Sequence, residues 1–290
     1  MPSPVRTAVI AAAGQGTRMW PASKVVPKEL FPLGKAPAIV QLIWELADAG
    51  IRRVILVVSQ QALPLMEALF DRLIPPPPKL LDDPVVQRFQ KMLSEVEITL
   101  EVQAGNYGNA TPLLQSADLV GNEPCIYAFG DDVVFGENAT EGLIDVFNQT
   151  GYPVLAVQQV PMSKQGQFGI VECRSENGIQ YVTRLLEKPR KKETASDLAA
   201  YGRYLVTPEL MHALRGVTPG KDGEVWFVDA VIRRLQHGKP VCAVSLSTGR
   251  WYTVGDLINY AEAVAAASAQ EQKAAALGIE AQVTGPLPAR

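Results

Sequence analysis

The fold of this chain is decided by the stretch Ala11-Ala-Ala-Gly14-Gln-Gly16-Thr17-Arg18-Met-Trp-Pro21-Ala-Ser-Lys24-Val-Val-Pro27-Lys28-Glu29, which begins within the apolar run 8–13. A short apolar run that ends in a glycine-rich turn is typical of a buried strand leading into a ligand-binding loop. The two glycines expose backbone N–H groups, and the two prolines keep the following segment extended. Arg18 and Lys28 add positive charge. This combination favours a bound triphosphate; the alternative is a glycine-rich turn with unrelated surface cations.

Two common glycine-loop templates do not match this stretch. A dinucleotide-binding fingerprint requires a third glycine where Met19 stands and an acid about 20 residues further on. A P-loop requires Gly-Lys-Ser/Thr after four spacers, which the stretch lacks. The loop therefore predicts phosphate binding of another kind and excludes a dehydrogenase with the usual dinucleotide motif.

The composition is that of an ordinary globular protein. Of the 290 residues, 47% are hydrophobic and 20% are charged, which allows one large domain or two small ones. The net charge of -3 provides no general positive field for nucleic acid. No apolar stretch approaches the roughly 18 residues of a membrane span, so we expect no membrane contact and a cytoplasmic location. Three scattered cysteines and two histidines form no zinc-binding spacing and fit a reducing compartment.

Apolar runs rich in β-branched residues alternate with helical patterns, which predicts βα units around a parallel sheet in the first half of the chain. The predicted strands are 8–13, 54–58, 98–102, 125–129, 154–157, 169–173, 179–186 and 241–246, and the predicted helices are 39–49, 111–120, 225–236 and 257–277. The second half is expected to make the sheet mixed. Four prolines, Pro75 to Pro78, interrupt the pattern and indicate an inserted excursion. Gly130-Asp131-Asp132 follows a predicted strand, at the sheet edge where α/β folds bind ligands.

Taken together, these motifs resemble those of the bacterial UTP:glucose-1-phosphate uridylyltransferases, which belong to the sugar nucleotidyltransferase family. The family signature, Gly-x-Gly-Thr-Arg followed by Pro-Lys-Glu, stands at 14–18 and 27–29, and the likeness covers roughly residues 5–265. The resemblance implies an α/β fold of the GT-A-like (Rossmann-like) nucleotidyltransferase type, with a mixed, mostly parallel central sheet flanked by helices. It places a nucleotidyltransferase domain at 1–265, with an inserted excursion at about 71–95. Residues 266–290 are expected to form the end of a C-terminal helix and a tail with possible oligomer contacts.

The activity that the resemblance implies is uridylyl transfer from UTP to glucose 1-phosphate, giving UDP-glucose and pyrophosphate, with Mg²⁺ as cofactor. A phosphate oxygen of glucose 1-phosphate would attack the α-phosphorus of UTP in line. Such a reaction is catalysed mainly by positioning and charge neutralisation, so it needs no nucleophilic side chain. A homodimer or homotetramer in the cytoplasm is also expected, and no nucleic-acid or membrane partner.

The resemblance also implies roles for particular residues. Arg18 and Lys28 would neutralise the β- and γ-phosphates, Asp131 would bind the metal, and Lys188 would bind the sugar phosphate. The expected nucleotide-binding residues are Ala12, Ala13, Gly14, Gly16, Thr17, Glu29, Gln103 and Gly108. The expected sugar-binding residues are Asp132, Gly169, Glu187 and Lys188. Two positions depart from the family pattern: Asn109 replaces a histidine after Gly108, and Trp226 replaces a glutamine.

Several of these residues have a plainer interpretation when taken alone. Gln103 would be an ordinary solvated strand end, Asp131-Asp132 a turn or helix-capping pair, and Glu187-Lys188 a surface ion pair before a turn. Gly223-Glu224-Val-Trp-Phe-Val-Asp229-Ala230 also aligns with a family segment, but Glu224 and Asp229 could simply begin and stabilise a helix. The functional interpretation rests on the order in which the motifs follow one another.

A third departure concerns the metal. The family's second metal-binding aspartate corresponds to Thr253 in Trp251-Tyr252-Thr253-Val254-Gly255-Asp256, and a neutral hydroxyl removes one negative charge. Asp132 and Asp256 are the candidates to replace it, although Asp256 would need a shifted turn. Three hypotheses remain: a working enzyme with a rearranged metal site, a weakened enzyme, or a regulatory relative that binds UDP-glucose without turnover. A sister enzyme that uses dTTP or another sugar phosphate is the alternative within enzymes.

Overall fold

A computed structural model describes residues 3–105, 108–217 and 224–276 of the chain. Its strands vary from two to nine residues in length. They are β1 (Thr7–Ala12), β2 (Pro32–Leu33), β3 (Ala36–Pro37), β4 (Arg53–Val58), β5 (Glu97–Val102), β6 (Cys125–Phe129), β7 (Asp132–Phe135), β8 (Val154–Gln159), β9 (Gly169–Glu176), β10 (Ile179–Glu187), β11 (Leu198–Val206), β12 (Cys242–Ser245) and β13 (Arg250–Thr253).

The helices of the described residues alternate with these strands. They are α1 (Ala38–Asp48), α2 (Leu63–Phe70), α3 (Pro84–Glu95), α4 (Thr111–Gln115), α5 (Ala117–Val120), α6 (Ala139–Thr150), α7 (Pro208–Arg215), α8 (Phe227–Gln236) and α9 (Leu257–Ala276). Short 3-10 turns lie at Thr17–Met19, Ala22–Lys24, Lys28–Leu30, Pro78–Leu80 and Met162–Gln167. Within the described ranges, no helix is both long and apolar enough to cross a membrane.

The chain divides into two compact units, each of which brings together distant parts of the sequence. Unit 1 consists of residues 1–9, 103–128 and 139–247. Unit 2 consists of residues 10–102, 129–138 and 248–290. The glycine-rich stretch and the Asp131-Asp132 pair both belong to unit 2, whereas Glu187 and Lys188 belong to unit 1.

Unit 2 is built on the strand order β5-β4-β1, with β4 and β5 parallel along their whole length. The apolar residues of β4 are buried, which explains why its sequence shows no polar alternation. Helix α1 presents Ile39, Leu42, Ile43 and Leu46 to the core, and none of them is exposed. Burying each such side chain stabilises the fold by about 1.5–3 kcal/mol.

A second core of unit 2 lies beneath the C-terminal helix. Strands β7 and β13 pair antiparallel, and residues of α9 as far as Ala267 pack with Leu33, Phe135 and Val254 in one buried cluster. The hydroxyl of Tyr260 donates to the Pro32 carbonyl over 3.0 Å. Helix α9 therefore anchors the end of β13, with Thr253, and the segment that follows it, with Gly255. The domain boundary at residue 265 remains a prediction.

Unit 1 contains the strand order β6-β11-β8-β12-β10-β9. Strand β12 runs parallel to β8, whereas β11 pairs antiparallel with β6, β8 and β9, and β10 pairs antiparallel with β9 and β12. The mixed sheet confirms the predicted fold class, with a larger antiparallel share in this unit than the sequence indicated.

The structure contains elements that the sequence pattern did not predict, among them β11, α6 and α7, and it changes two that were predicted. The helix expected over 111–120 is divided at Ser116, whose ψ of 0° interrupts it between α4 and α5. The proline-marked excursion is not irregular throughout, because its second half forms α3. The Asp83 side chain caps α3 by accepting from the Val85 N–H over 2.9 Å, and the Arg88 guanidinium of α3 lies 4.7 Å from the ring centroid of Trp44 on α1.

Candidate active site

Within the glycine-rich loop of unit 2, Gly16 packs against Ser23 seven residues later. Gly16 has a φ of 60°, in the left-handed region, and a Cβ there would lie 2.9 Å from Cβ of Ser23. The Ser23 hydroxyl donates to the Gly16 carbonyl over 2.7 Å. Glycine is therefore required at position 16. Ser23 holds the loop in shape, a role that the sequence did not reveal.

The ammonium of Lys28 lies over this loop. A Cβ on Gly14 would be 3.3 Å from Nζ of Lys28, so the backbone approaches the charge closely. Lys28 forms an ion pair with Oδ2 of Asp131, and its Nζ lies 3.8 Å from Oε1 of Glu29. Burial alone would lower the pKa of Lys28, but the charges of Asp131, Glu29 and Asp132 raise it above its usual value. The loop therefore holds a permanent cation.

Glu29 is the most deeply buried member of this cluster. It is 1% exposed, and its Oε2 is buried without a hydrogen-bond partner. Burial raises the pKa of Glu29 to about 8, against the opposing attraction of Lys28. Gly130 makes room for it, because a Cβ there would lie 3.1 Å from both Cγ of Glu29 and Cβ of Ala12.

We expect Glu29→Gln to remove a pH dependence of stability. The pKa is about 8 in the folded state against an ordinary value of 4.5, so between these values the folded state binds more protons than the unfolded state. The free energy of unfolding of the wild type should therefore fall as the pH rises through this window, by on the order of 1 kcal/mol per pH unit. Urea unfolding at both ends of the window measures it. Parallel pH profiles for wild type and variant would contradict the assignment.

A second cluster in unit 2 surrounds Gly255. A Cβ at this position would lie 3.0 Å from Nη2 of Arg18, 3.0 Å from Oδ2 of Asp131 and 3.3 Å from the hydroxyl of Thr253. The Val254 N–H donates to the Asp131 carbonyl over 2.8 Å, which fixes this arrangement. The structure thus brings Arg18, Lys28, Asp131 and Thr253 to one place.

The two carboxylates considered as replacements for the family's aspartate are placed differently. Asp256 begins helix α9: its Oδ1 accepts from the Asn259 N–H over 3.0 Å, and its Oδ2 accepts from the Asn259 side-chain amide over 2.6 Å. The same Oδ2 lies 3.7 Å from Nη1 of Arg18. Asp132 opens β7 and is 5% exposed. The register of β7 and β13 sets Asp132 opposite Thr253, whereas the Asp131 carboxylate lies at Gly255. Within the described residues no group of three or more His, Cys, Asp or Glu side chains is arranged to hold a metal.

The residues predicted to bind the sugar phosphate form a separate cluster in unit 1. Nζ of Lys188 lies 3.7 Å from Oε1 of Glu187 and 5.1 Å from the centroid of the Trp226 ring. The Lys188 backbone has a φ of 46°, which non-glycine residues rarely adopt, and its N–H donates to the Phe168 carbonyl over 3.0 Å. A Cβ on Gly169 would lie 3.2 Å from Oε2 of Glu187, so a side chain there would crowd the carboxylate.

Two acids of this cluster have altered pKa values. Burial raises the pKa of Glu187, the charge of Lys188 lowers it, and the charge of Asp229 raises it again, so that the net shift is upward. Burial also raises the pKa of Asp229. A group that donates hydrogen bonds, such as a sugar hydroxyl, would stabilise the ionised form of either acid.

The remaining predicted residues are divided between the two units. Ala12 and Ala13 are buried at the end of β1, and the exposed Thr17 begins a 3-10 turn in unit 2. Gln103 follows β5 and is half-buried in unit 1. Gly108 packs so closely on the Val225 backbone that a Cβ would lie 2.6 Å from its N and O. Gly223, which the sequence aligned with a family segment, lies outside the described residues.

Comparison with known proteins gives consistent similarities. Residues 7–270 match the family model described as nucleotidyl transferase. The chain is 34% identical to the UTP–glucose-1-phosphate uridylyltransferase of Mycoplasma pneumoniae over 246 residues, which are 82% of this chain and 84% of the relative. It is 32% identical to the protein of the same name from Staphylococcus haemolyticus, over 88% and 90% of the two chains. A UTP-bound UGPase from Acinetobacter baumannii superposes with a TM-score of 0.79 at 27% identity, covering 90% of this chain and 93% of the other.

Proposed function

The chain belongs to the nucleotidyl transferase family, and we propose that it transfers the uridylyl group of UTP to glucose 1-phosphate, giving UDP-glucose and pyrophosphate. The observation that carries this proposal is the ion pair of Lys28 and Asp131 directly over the glycine-rich loop. A fixed cation and a carboxylate beside exposed backbone N–H groups suit a triphosphate better than any other common ligand. The names of the relatives support the choice of UTP and glucose 1-phosphate.

In unit 2, the proposed roles concern the triphosphate. Lys28 and Arg18 bind the β- and γ-phosphates and neutralise the negative charge that develops on the departing pyrophosphate. The residues proposed to hold the nucleoside and the loop around it are Ala12, Ala13, Gly14, Gly16, Thr17 and Glu29. Arg18 is two-thirds exposed, which leaves its guanidinium accessible to a ligand. When the nucleotide binds, the Lys28 ammonium must leave its ion pair with Asp131 and bind a phosphate instead.

In unit 1, the proposed roles concern the sugar phosphate and the base. Lys188 binds the phosphate of glucose 1-phosphate, and Glu187 accepts hydrogen bonds from the sugar hydroxyls beside Gly169. Gln103 and Gly108 contact the base, for which an amide can both donate and accept. Asp132 belongs to unit 2 and is 5% exposed, and its contact with the sugar remains a prediction.

The donors around Asp131 fit a divalent cation that is held largely by the nucleotide. Mg²⁺ prefers oxygen ligands and is commonly bound by one or two carboxylates together with substrate phosphates. Asp131 supplies one carboxylate, and Thr253 supplies a hydroxyl in place of a second one. A magnesium ion bound there would add charge neutralisation at the phosphates.

Thr253→Asp is expected to raise the affinity of the nucleotide-free protein for Mn²⁺ by about tenfold or more, because a second carboxylate would lie beside Asp131. Electron paramagnetic resonance of free Mn²⁺ measures this without any turnover. Ser94→Asp adds the same charge at an exposed position of unit 2 and should leave Mn²⁺ binding unchanged. Equal Mn²⁺ affinities for wild type and Thr253→Asp would contradict the placement of the metal.

The choice of substrates is tested with a nucleotide and sugar-phosphate panel. The purified protein is incubated with UTP, dTTP, ATP or GTP and with glucose 1-phosphate or another sugar 1-phosphate, and nucleotide sugars are separated by anion exchange. We expect the highest kcat/KM for UTP with glucose 1-phosphate. A preference for dTTP would identify a sister enzyme instead.

A catalytically impaired homologue that binds UDP-glucose is the second candidate function, and the commitment of Asp256 to helix α9 favours it. It predicts UDP-glucose binding with no turnover at any Mg²⁺ concentration. We further propose a cytoplasmic location and assembly as a homodimer or homotetramer.

A further inference from the structure

Helix α8 receives its N-terminal cap from a distant part of the chain. Oδ1 of Asn109 accepts a hydrogen bond of 2.8 Å from the N–H of Phe227, the first residue of the helix. The preceding residue, Trp226, provides no side-chain cap. The free N–H groups of a first turn need acceptors, and asparagine is among the best residues for supplying one. Asn109 therefore caps α8 from 118 residues away.

Asn109 is itself held in place by the segment that it caps and by the sheet. The N–H of Ala110 donates to the Val225 carbonyl over 3.0 Å, and the hydroxyl of Tyr127 on β6 donates to the Asn109 carbonyl. The ring of Phe227 packs against that of Tyr127, with their centroids 5.6 Å apart. These contacts join residues 108–110 to residues 225–227 as one rigid connection.

The ring of Trp226 lies at the end of this connection, and Nζ of Lys188 lies over it, 5.1 Å from the ring centroid. Trp226 directly precedes the capped N–H, so the hydrogen bond to Asn109 fixes the peptide plane between Trp226 and Phe227. An ammonium over the face of an indole ring is attracted to it and loses part of its rotamer freedom. The position of the Lys188 charge thus depends on a helix end that Asn109 holds.

We propose that Asn109 is a positioning residue for glucose 1-phosphate, acting through Phe227 and Trp226 on Lys188. The inference deepens the proposed function and rests on it, because it gives the loop at Gly108 a second role beside contact with the base. Loss of the Asn109 acceptor should loosen the start of α8, let the Trp226 ring move and weaken the binding of the sugar phosphate. Lys188 itself is retained, so saturating glucose 1-phosphate should restore most of the rate of the chemical step.

The test compares Asn109→Ala, Asn109→Asp and Thr207→Ala in steady-state kinetics and thermal unfolding. Asn109→Ala should raise KM for glucose 1-phosphate about fivefold with kcat within about twofold of wild type. Asn109→Asp keeps an acceptor at a helix N-terminus and should restore KM. Thr207 caps α7 in the same unit, where its side chain accepts from the Leu210 N–H over 3.4 Å, so Thr207→Ala should lower stability while leaving KM unchanged.

A pair of variants at Trp226 keeps the test decisive if Asn109→Ala does not fold. Trp226→Ala should raise KM for glucose 1-phosphate to a similar extent, and Trp226→Phe, which keeps an aromatic face, should raise it less. Unchanged KM in Asn109→Ala and Trp226→Ala, or a larger rise for UTP than for glucose 1-phosphate, would overturn the inference while the proposed function stands. A wild-type protein without turnover of these substrates would refute the proposed function, and the inference with it.

Discussion

Lys28→Ala is expected to lower kcat by about 100- to 1,000-fold, the loss typical for removing one fixed group that stabilises transition-state charge. In the structure this ammonium pairs with Asp131, lies 3.8 Å from Oε1 of Glu29 and approaches the backbone at Gly14. Steady-state assay of pyrophosphate release measures the loss. Lys24→Ala removes an exposed cation of the same loop and should retain wild-type kcat.

The stability of Lys28→Ala should fall, because removing one member of a buried ion pair leaves its partners uncompensated. Glu29 already has a pKa of about 8 and can take up a proton, which limits the cost. We therefore expect a lower Tm with a circular dichroism spectrum like that of the wild type. Wild-type turnover in this variant would contradict the role of Lys28, whatever its stability.

Asp131→Asn is the second change with a large expected effect, a fall in kcat of about 100-fold or more. Asparagine preserves the volume and removes the carboxylate, so of the two proposed metal-binding groups at Gly255 the neutral hydroxyl of Thr253 would remain. Asp118→Asn, at a side chain that is 98% exposed in unit 1, serves as the control and should behave as wild type.

A double variant distinguishes a loss of metal from a loss of structure. Asp131→Asn/Thr253→Asp returns a carboxylate to the Gly255 cluster at a different position, so part of the activity should return at raised Mg²⁺. Activity in the single variant Asp131→Asn equal to that of the wild type would contradict the assignment of Asp131 as metal ligand.

Much of the fold could be predicted from local patterns. Strands such as β4 and β6 are continuous apolar runs, and both were predicted within a residue of their ends. The apolar spacing of α1 and the glycine after it, Gly50, predict the helix and its end. In the structure Gly50 has a φ of 90°. These features depend on neighbouring residues, which the sequence shows directly.

Other features depend on partners far away in sequence. Strand β7 has only four residues, and its pairing with β13 joins positions more than 100 residues apart, so no local pattern indicates it. The start of α8 was predicted at Val225 but lies at Phe227, because the cap comes from Asn109. The commitment of Asp256 to α9 could likewise not be seen before the fold was known.

The candidate site likewise has features that the local sequence shows and features that depend on residues far apart in the chain. The sequence identified Arg18, Lys28 and Asp131 individually, but not that Lys28 and Asp131 form an ion pair. It did not indicate the burial of Glu29, because an acid is ordinarily exposed and only the space left by Gly130 allows it inside. Charge, burial and pKa depend on the assembled site.

The most direct test of the account is to measure pyrophosphate and UDP-glucose in one reaction, with UTP and Mg²⁺ present and glucose 1-phosphate included or left out. Uridylyl transfer without an enzyme-bound intermediate predicts equal amounts of the two products when glucose 1-phosphate is included, and no pyrophosphate when it is left out. Pyrophosphate released without glucose 1-phosphate, or no UDP-glucose formed in its presence, would contradict the account.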